Sequence, residues 1–295
     1  MLSILPQLIA NGLIIGAVYA LVAAGFSLVF STNRFVHFGH GSAITASAYA
    51  LYFMLTAQRI PLPIAIFIAL TAATLVGWLC FALVYNPLKK RQTSSVVLLI
   101  AGIALLLVFE NLFIMLFGTD VKVVDYIPVV KGITILGAII TKLQLLMIAI
   151  SLALLTLLYL FLYKNKYGIT MRAIANNPCL ASLIGIPKAK FQHLSFLIGS
   201  LLAGVTGVLI ALERNVEPVM GTGLMIEGFI SAVVGGVTSV SGGILGGFVL
   251  GIAENIGIGF LPSGFKSAIA FTLLFIFLIF KPRGLFGIKK GTRED

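Results

Sequence analysis

Runs of apolar residues long enough to cross a bilayer recur along the whole chain, near 6–30, 38–57, 61–86, 93–117, 142–163, 191–212, 225–240, 243–260 and 266–281. A helix needs about 20 apolar residues to cover the hydrocarbon core, so this pattern predicts an all-α integral membrane protein with eight or nine transmembrane helices. Two runs are weak. The 38–57 run is rich in Gly, Ser, Ala and Tyr, and 225–240 holds only 16 residues, roughly 24 Å of helix. Either is a candidate for a broken or re-entrant helix.

Between the runs lie two polar connections. In 118–141 the apolar residues alternate over 121–130, which suits a short strand pair or an amphipathic helix. The second, 164–190, carries Lys164, Lys166, Arg172, Lys188 and Lys190 and no anion. Helix-like spacing runs from Gly168 to Ile184, Gly185 and Pro187 end it, and Asn176-Asn177-Pro178 argues for two short helices with a break at the proline. A plain basic loop needs no such order, so a docking surface is expected. No stretch outside the apolar runs is large enough to fold alone, and the chain reads as a single transmembrane domain over 1–295 with a cytoplasmic loop at 164–190.

Composition supports the membrane reading: 60% of residues are hydrophobic, 10% are charged, and the mean hydropathy is +1.13. Soluble domains carry about 25% charged residues. The net charge of +11 does not point to nucleic acid, because the cations sit in short connections rather than on one solvated face. They report orientation instead. Placing 31–37, 89–91, 164–190 and the C-terminal tail in the cytoplasm collects fourteen of the twenty cations. The positive-inside rule then puts the C-terminal end inside and, with nine crossings, the start of the first run outside. That first run lacks a basic segment before it and a small-residue cleavage pattern, so it reads as a retained span rather than a signal peptide. Cys80, inside an apolar run, and Cys179, in the basic loop, are expected to be inert free thiols.

Ionisable groups inside membrane runs are costly, which makes Glu110, Glu227 and Glu254 functional candidates. Each also has a packing role open to it: Glu110 a bond to a neighbouring helix, Glu227 the positive end of a helix dipole at the start of its run, Glu254 a helix–helix hydrogen bond. His37 and His40 lack a third ligand for a metal, and His40 is expected to stabilise a turn. Asn11, Tyr19, Ser42, Thr45 and Tyr49 are small or polar enough to line a weakly binding pathway or to pack between helices. Gly243, Gly247 and Gly251 recur every four residues and let helix backbones touch, as do Gly12 with Gly16 and Ser200 with Gly204. No phosphate-binding loop G-x-x-x-x-G-K-[ST] occurs, and no nucleophile–base pair or soluble carboxylate pair supports an enzyme.

Taken together, GLIIGAVYALVAAGFSLVF at 12–30, HFGHG at 37–41, SAY at 47–49, GITMRAIANNPCLASLIGI at 168–186, VVGGVTSVSGGILGGFVLGIAE at 233–254 and KPRGLFG at 281–287 resemble the inner-membrane permeases of branched-chain amino acid ABC importers, most of all the LivH-type subunit. The resemblance spans essentially the whole chain. It departs at His37 and Gly39, where the family motif has Asn and Ala. The resemblance implies a bacterial inner-membrane permease with the ABC importer permease fold, paired with a second, related permease. Two cytoplasmic ATPase subunits and an external substrate-binding protein complete the assembly, whose surroundings are membrane lipid. It also implies that ATP and Mg act through the ATPase subunits and that no cofactor binds this chain. The family's coupling helix maps onto Gly168, Arg172, Ala173, Asn177, Ala181 and Gly185. Arg172 is the key residue of that set, since its planar guanidinium can pair with an ATPase carboxylate. The implied cargo is aliphatic amino acids, with other amino acids, amides or urea as alternatives. A proton-coupled secondary transporter using Glu110 or Glu254 is the competing class. A gated channel lacks a filter segment.

Overall fold

The computed structural model describes residues 4–124, 126 and 132–286. Helix α1 (Leu5–Asn33) is followed by α2 (His40–Tyr52), which runs on as a π-helical turn (Phe53–Ala57). Next come α3 (Leu62–Leu79), joined through a second π-helical turn (Cys80–Tyr85) to α4 (Asn86–Lys90), and α5 (Ser95–Phe117). A hairpin of β1 (Ile133–Ile135) and β2 (Ala138–Ile140) leads into α6 (Lys142–Lys164). After it stand the short helices α7 (Lys166–Asn176) and α8 (Pro178–Leu183), then α9 (Lys188–Glu213), α10 (Met220–Gly235), α11 (Val240–Gly257) and α12 (Lys266–Phe280). Six helical segments are long and apolar enough to cross a membrane; α10 and α12 are shorter, and the 38–57 run forms one continuous helix rather than a broken one.

Local chemistry sets several starts. The hydroxyl of Ser94 accepts from the N–H of Val97, Thr141 and Gln144 form a reciprocal capping box, and Asn165, Asn177 and Ser239 cap α7, α8 and α11. Three expectations shift. The run placed at 225–240 is a helix from Met220 to Gly235, so Glu227 lies two turns inside it and not at its positive end. Strand pairing falls on 133–140 rather than 121–130, because Leu136 and Gly137 both adopt positive φ (51° and 85°) and turn the chain there. From the earlier stretch only Lys122 pairs, with Val216, while residues 125 and 127–131 lie outside the described residues.

The centre of the fold is α1 against α11. These two pack antiparallel, with Gly12 beside Ile252, Gly16 and Gly251 in mutual contact, Gly247 on Ala20 and Gly243 on Ser27. A Cβ built on Gly12 would stand 2.8 Å from the Ile252 Cα, closer than any side chain tolerates, so the small residues are what let the two backbones meet. The α9 helix packs its own small positions in the same way, Ser200 on Gly77 and Gly204 on Ala73. Around this core, α3, α5, α6 and α12 turn apolar side chains outward, among them Phe67, Met115, Leu157 and Phe280.

Cross-links sort the helix ends onto two faces. On one, Lys89 donates to Asn33 Oδ1 at 2.9 Å, the Arg34 guanidinium donates to the Ala175 carbonyl, and the N–H groups of Leu285 and Phe286 donate to Val234 and Gly235, both at 2.9 Å. On the other, Gln7 exchanges two bonds with Ile139, Lys122 with Val216, and Gln144 donates to Glu213 at 3.1 Å. Among the described residues nine apolar helical segments run along the axis between these faces, with α10 starting beside Gly41 and α12 beside Tyr19, part of the way across.

Candidate functional site

On the face that carries Arg34, α7 and α8 form a compact protrusion at the end of α6. Gly168 sits on the Phe161 carbonyl and the Leu162 backbone, leaving no room for a side chain, and Met171, Ile174 and Ala181 are buried beneath. Asn177 accepts from the N–H groups of Cys179 and Leu180 at 3.1 and 2.9 Å, which starts α8 right at the Asn-Asn-Pro break. The set named from the sequence thus divides. Gly168 and Ala181 face inward, Arg172, Ala173 and Asn177 are exposed, and Gly185 makes the closing turn at φ 80°. Leu183 and Ile184 are 78% and 68% exposed beside them, an apolar tip on the most cationic connection of the chain. The Arg172 guanidinium stacks 4.0 Å from the Tyr163 ring centroid, a cation–π contact that holds its planar fork in place.

A second cluster lies among α1, α10, α11 and α12. The Tyr19 hydroxyl donates to Glu254 Oε2 at 2.9 Å, while Lys266 Nζ stands 3.3 Å from the same oxygen and donates to the Tyr19 hydroxyl at 3.0 Å. Glu227 faces Tyr19 and Lys266 from α10. Glu254 is fully buried, and this three-way contact ties α1, α11 and α12 together. Next to it a cavity of about 170 Å³ is lined by Asn11, Gln144, Glu213, Arg214, Asn255 and Lys266. Sequence reasoning found Asn11, Tyr19 and Glu254 but not Lys266. The available signal was that Lys266 is one of six cations on the side where the positive-inside rule places few, at the first residue of an apolar helix.

The remaining candidates are scattered. Ser42, Thr45 and Tyr49 are buried between helices; Thr45 Oγ1 accepts from the N–H of Gly221 at 3.1 Å, and the Tyr49 ring stacks 4.5 Å from that of Phe117. None of these three lines the cavity beside Glu254. Glu110 accepts from the Thr222 hydroxyl at 3.5 Å, linking α5 to α10. The turn-stabilising bond belongs to His37, whose Nδ1 is 2.8 Å from the Tyr85 hydroxyl, whereas both His40 ring nitrogens lack a partner among the described residues. Burial holds His37 well below the ordinary histidine range, with the neighbouring His40 ring adding to the effect, so it stays neutral at physiological pH. Among the described residues no three His, Cys, Asp or Glu side chains gather as a metal site. Cys80 is buried and Cys179 exposed, both free thiols.

Residues 8–280 match the family described as the branched-chain amino acid transport system permease component. Similar proteins include the high-affinity branched-chain amino acid transport system permease protein BraD of Pseudomonas aeruginosa, 29% identical over 95% of each chain. LivH of Escherichia coli is 28% identical over 95% of each. A probable LivH of Methanocaldococcus jannaschii is 27% identical over 96% of this chain and 92% of its own. The fold is similar to that of PsaBC from Streptococcus pneumoniae, solved in complex with Fab, with a TM-score of 0.52 and 14% identity over 92% of this chain and 91% of that one.

Proposed function

The chain belongs to the branched-chain amino acid transport permease family, and from that premise we propose that it is a permease subunit of an ATP-driven importer carrying branched-chain amino acids across the bacterial inner membrane. The observation that carries this reading beyond the family is the α7–α8 protrusion. An exposed arginine, held over Tyr163, stands beside an exposed apolar tip on the cation-rich face of a multi-pass membrane protein. Such a surface is costly unless a partner covers it. The chain has no phosphate-binding loop of its own, so the energy comes from elsewhere.

In this reading two cytoplasmic ATPase subunits seat α7–α8 in a groove and bind ATP and Mg. A second, related permease completes the pathway as a heterodimer, and an external binding protein delivers the cargo. Arg172, Ala173 and Asn177 face the ATPase; Gly168, Ala181 and Gly185 shape the protrusion that presents them. Movement there reaches the membrane through the Arg34–Ala175 bond into α1. Helix α1 leads without a break to Tyr19 and its contacts with Glu254 and Lys266.

The cluster around Glu254 supplies the one observation favouring a second reading, proton-coupled transport by this chain alone, because buried carboxylates in a membrane interior often carry protons. The two are separated by Glu254→Gln, which keeps the shape and one hydrogen-bonding end. ATP-driven uptake falls modestly under the importer reading; complete loss of uptake in a normally assembled complex sinks it.

A further inference from the structure

A cavity of about 570 Å³ opens on the face that carries α7–α8, between the end of α1, the end of α6, α7, the α10–α11 turn and the segment after α12. Three guanidinium-bearing residues from three different elements border it: Arg34, Arg172 and Arg283. No carboxylate is among its lining residues, and every described Asp and Glu of the chain lies elsewhere. Thr238 and the start of α11 add hydroxyl and backbone N–H donors on a third side. Three like charges around one cavity repel one another unless an anion sits among them. Arg forks match phosphate oxygens two at a time, and the volume falls within the roughly 300–1,000 Å³ of small-ligand sites.

The other half of the wall is apolar. Leu28, Leu162, Tyr163, Val233 and Val237 line it, and the exposed Tyr159, stacked on Tyr163 one turn back along α6, continues that apolar surface. A free phosphate compound has no use for such a wall. A lipid does, since its glycerol and first methylenes would lie against it while its phosphate meets the arginines. We propose that this pocket binds a phosphate-bearing anion, the headgroup of an anionic phospholipid of the inner leaflet. Basic pockets between transmembrane helices on the cytoplasmic side take such headgroups.

Arg172 borders the pocket and is also assigned the ATPase contact, so Arg283, which has no part in that contact, is the residue to change. The full chain, purified with whatever subunits accompany it, is titrated with phosphatidylglycerol, with zwitterionic phosphatidylcholine and with inorganic phosphate, and bound lipid is read by native mass spectrometry. Phosphatidylglycerol should bind saturably and more tightly than phosphatidylcholine. Arg283→Gln should weaken it roughly ten- to a hundredfold, the worth of one charge-assisted contact. Lys90→Gln, a cation on the same face outside the pocket, should leave it unchanged. Displacement of the lipid by millimolar inorganic phosphate would keep the anion chemistry and overturn the lipid source. Equal lipid binding by the parent and Arg283→Gln would overturn the proposal, as would loss of ATPase pull-down in Arg283→Gln with lipid binding intact, which would hand the pocket to the ATPase.

Discussion

Helices α1 and α5 each carry an 18-residue stretch of similar mean hydropathy, 2.4 and 2.6, yet 89% of that stretch of α1 is buried in the fold and only 22% of that of α5. Hydropathy explains why both enter the membrane and says nothing about which one the fold is built around. The difference lies in size. Helix α1 places Gly12, Gly16, Ala20 and Ala23 along the side that meets α11, while α5 presents Leu107, Val108, Met115 and Leu116 outward. In lipid no hydrophobic force drives one apolar helix onto another, so the helices that pack centrally are those whose backbones can come close. The large side chains of α5 are left for lipid or a neighbouring subunit.

The comparison breaks most visibly at Gly247. Gly247→Leu drives a branched side chain into the backbone at Ala20, a cost beyond the roughly 1–3 kcal/mol of ordinary overpacking because no side chain can swing aside. Folded protein recovered from membranes should fall to a small fraction of the parent. Recovery at the parent level would mean that α1 and α11 do not meet as described. Next in size, Arg172→Ala tests the proposed docking contact: loss of a charge-assisted bond of about 1.5–3 kcal/mol should weaken binding of the ATPase subunits roughly ten- to a hundredfold while the chain inserts normally. Parental pull-down and ATPase stimulation would remove Arg172 from the coupling surface.

A smaller effect is expected at the Tyr19–Glu254–Lys266 contact. Lys266→Met leaves the buried Glu254 without its cation, and thermal stability should drop by about 1–3 kcal/mol, as for a buried acceptor deprived of its partner. Lys266→Met combined with Glu254→Gln should recover much of that loss, and a double variant no better than the single would dissolve the pair. Least of all should Leu107→Ala on α5 matter. Leu107 is 52% exposed on the outer side of the helix, and its truncation should shift stability by no more than about 0.5 kcal/mol. A large loss there would place α5 in a packed interface.

Much of this was legible in the amino-acid order. The apolar runs overlap the apolar helices of the described residues, six of them of membrane-crossing length, because a bilayer core demands long apolar stretches, and Asn-Asn-Pro marks the α7–α8 break because the residue before proline avoids the helical region. What escaped has physical causes. Met220 to Gly223 looks too polar and too small to begin a helix, yet Gly221 packs on Gly41 and extends α10 by a turn. The hairpin turns at Leu136-Gly137, where leucine in the left-handed region carries no sequence mark. Lys266 found its partners Tyr19 and Glu254 from 247 and 12 positions away, a juxtaposition that only the packed fold supplies. For the six residues proposed for coupling, spacing identified the helices but not which side faces in; burial of Gly168 and Ala181 decides that.

The importer reading itself is tested most directly by uptake of labelled leucine into proteoliposomes. One preparation holds this chain with the second permease, the ATPase subunits and loaded binding protein, and another holds this chain alone under an inward proton gradient. The account predicts uptake in the first that depends on ATP, and none in the second. Uptake by the chain alone, driven by protons, would contradict it.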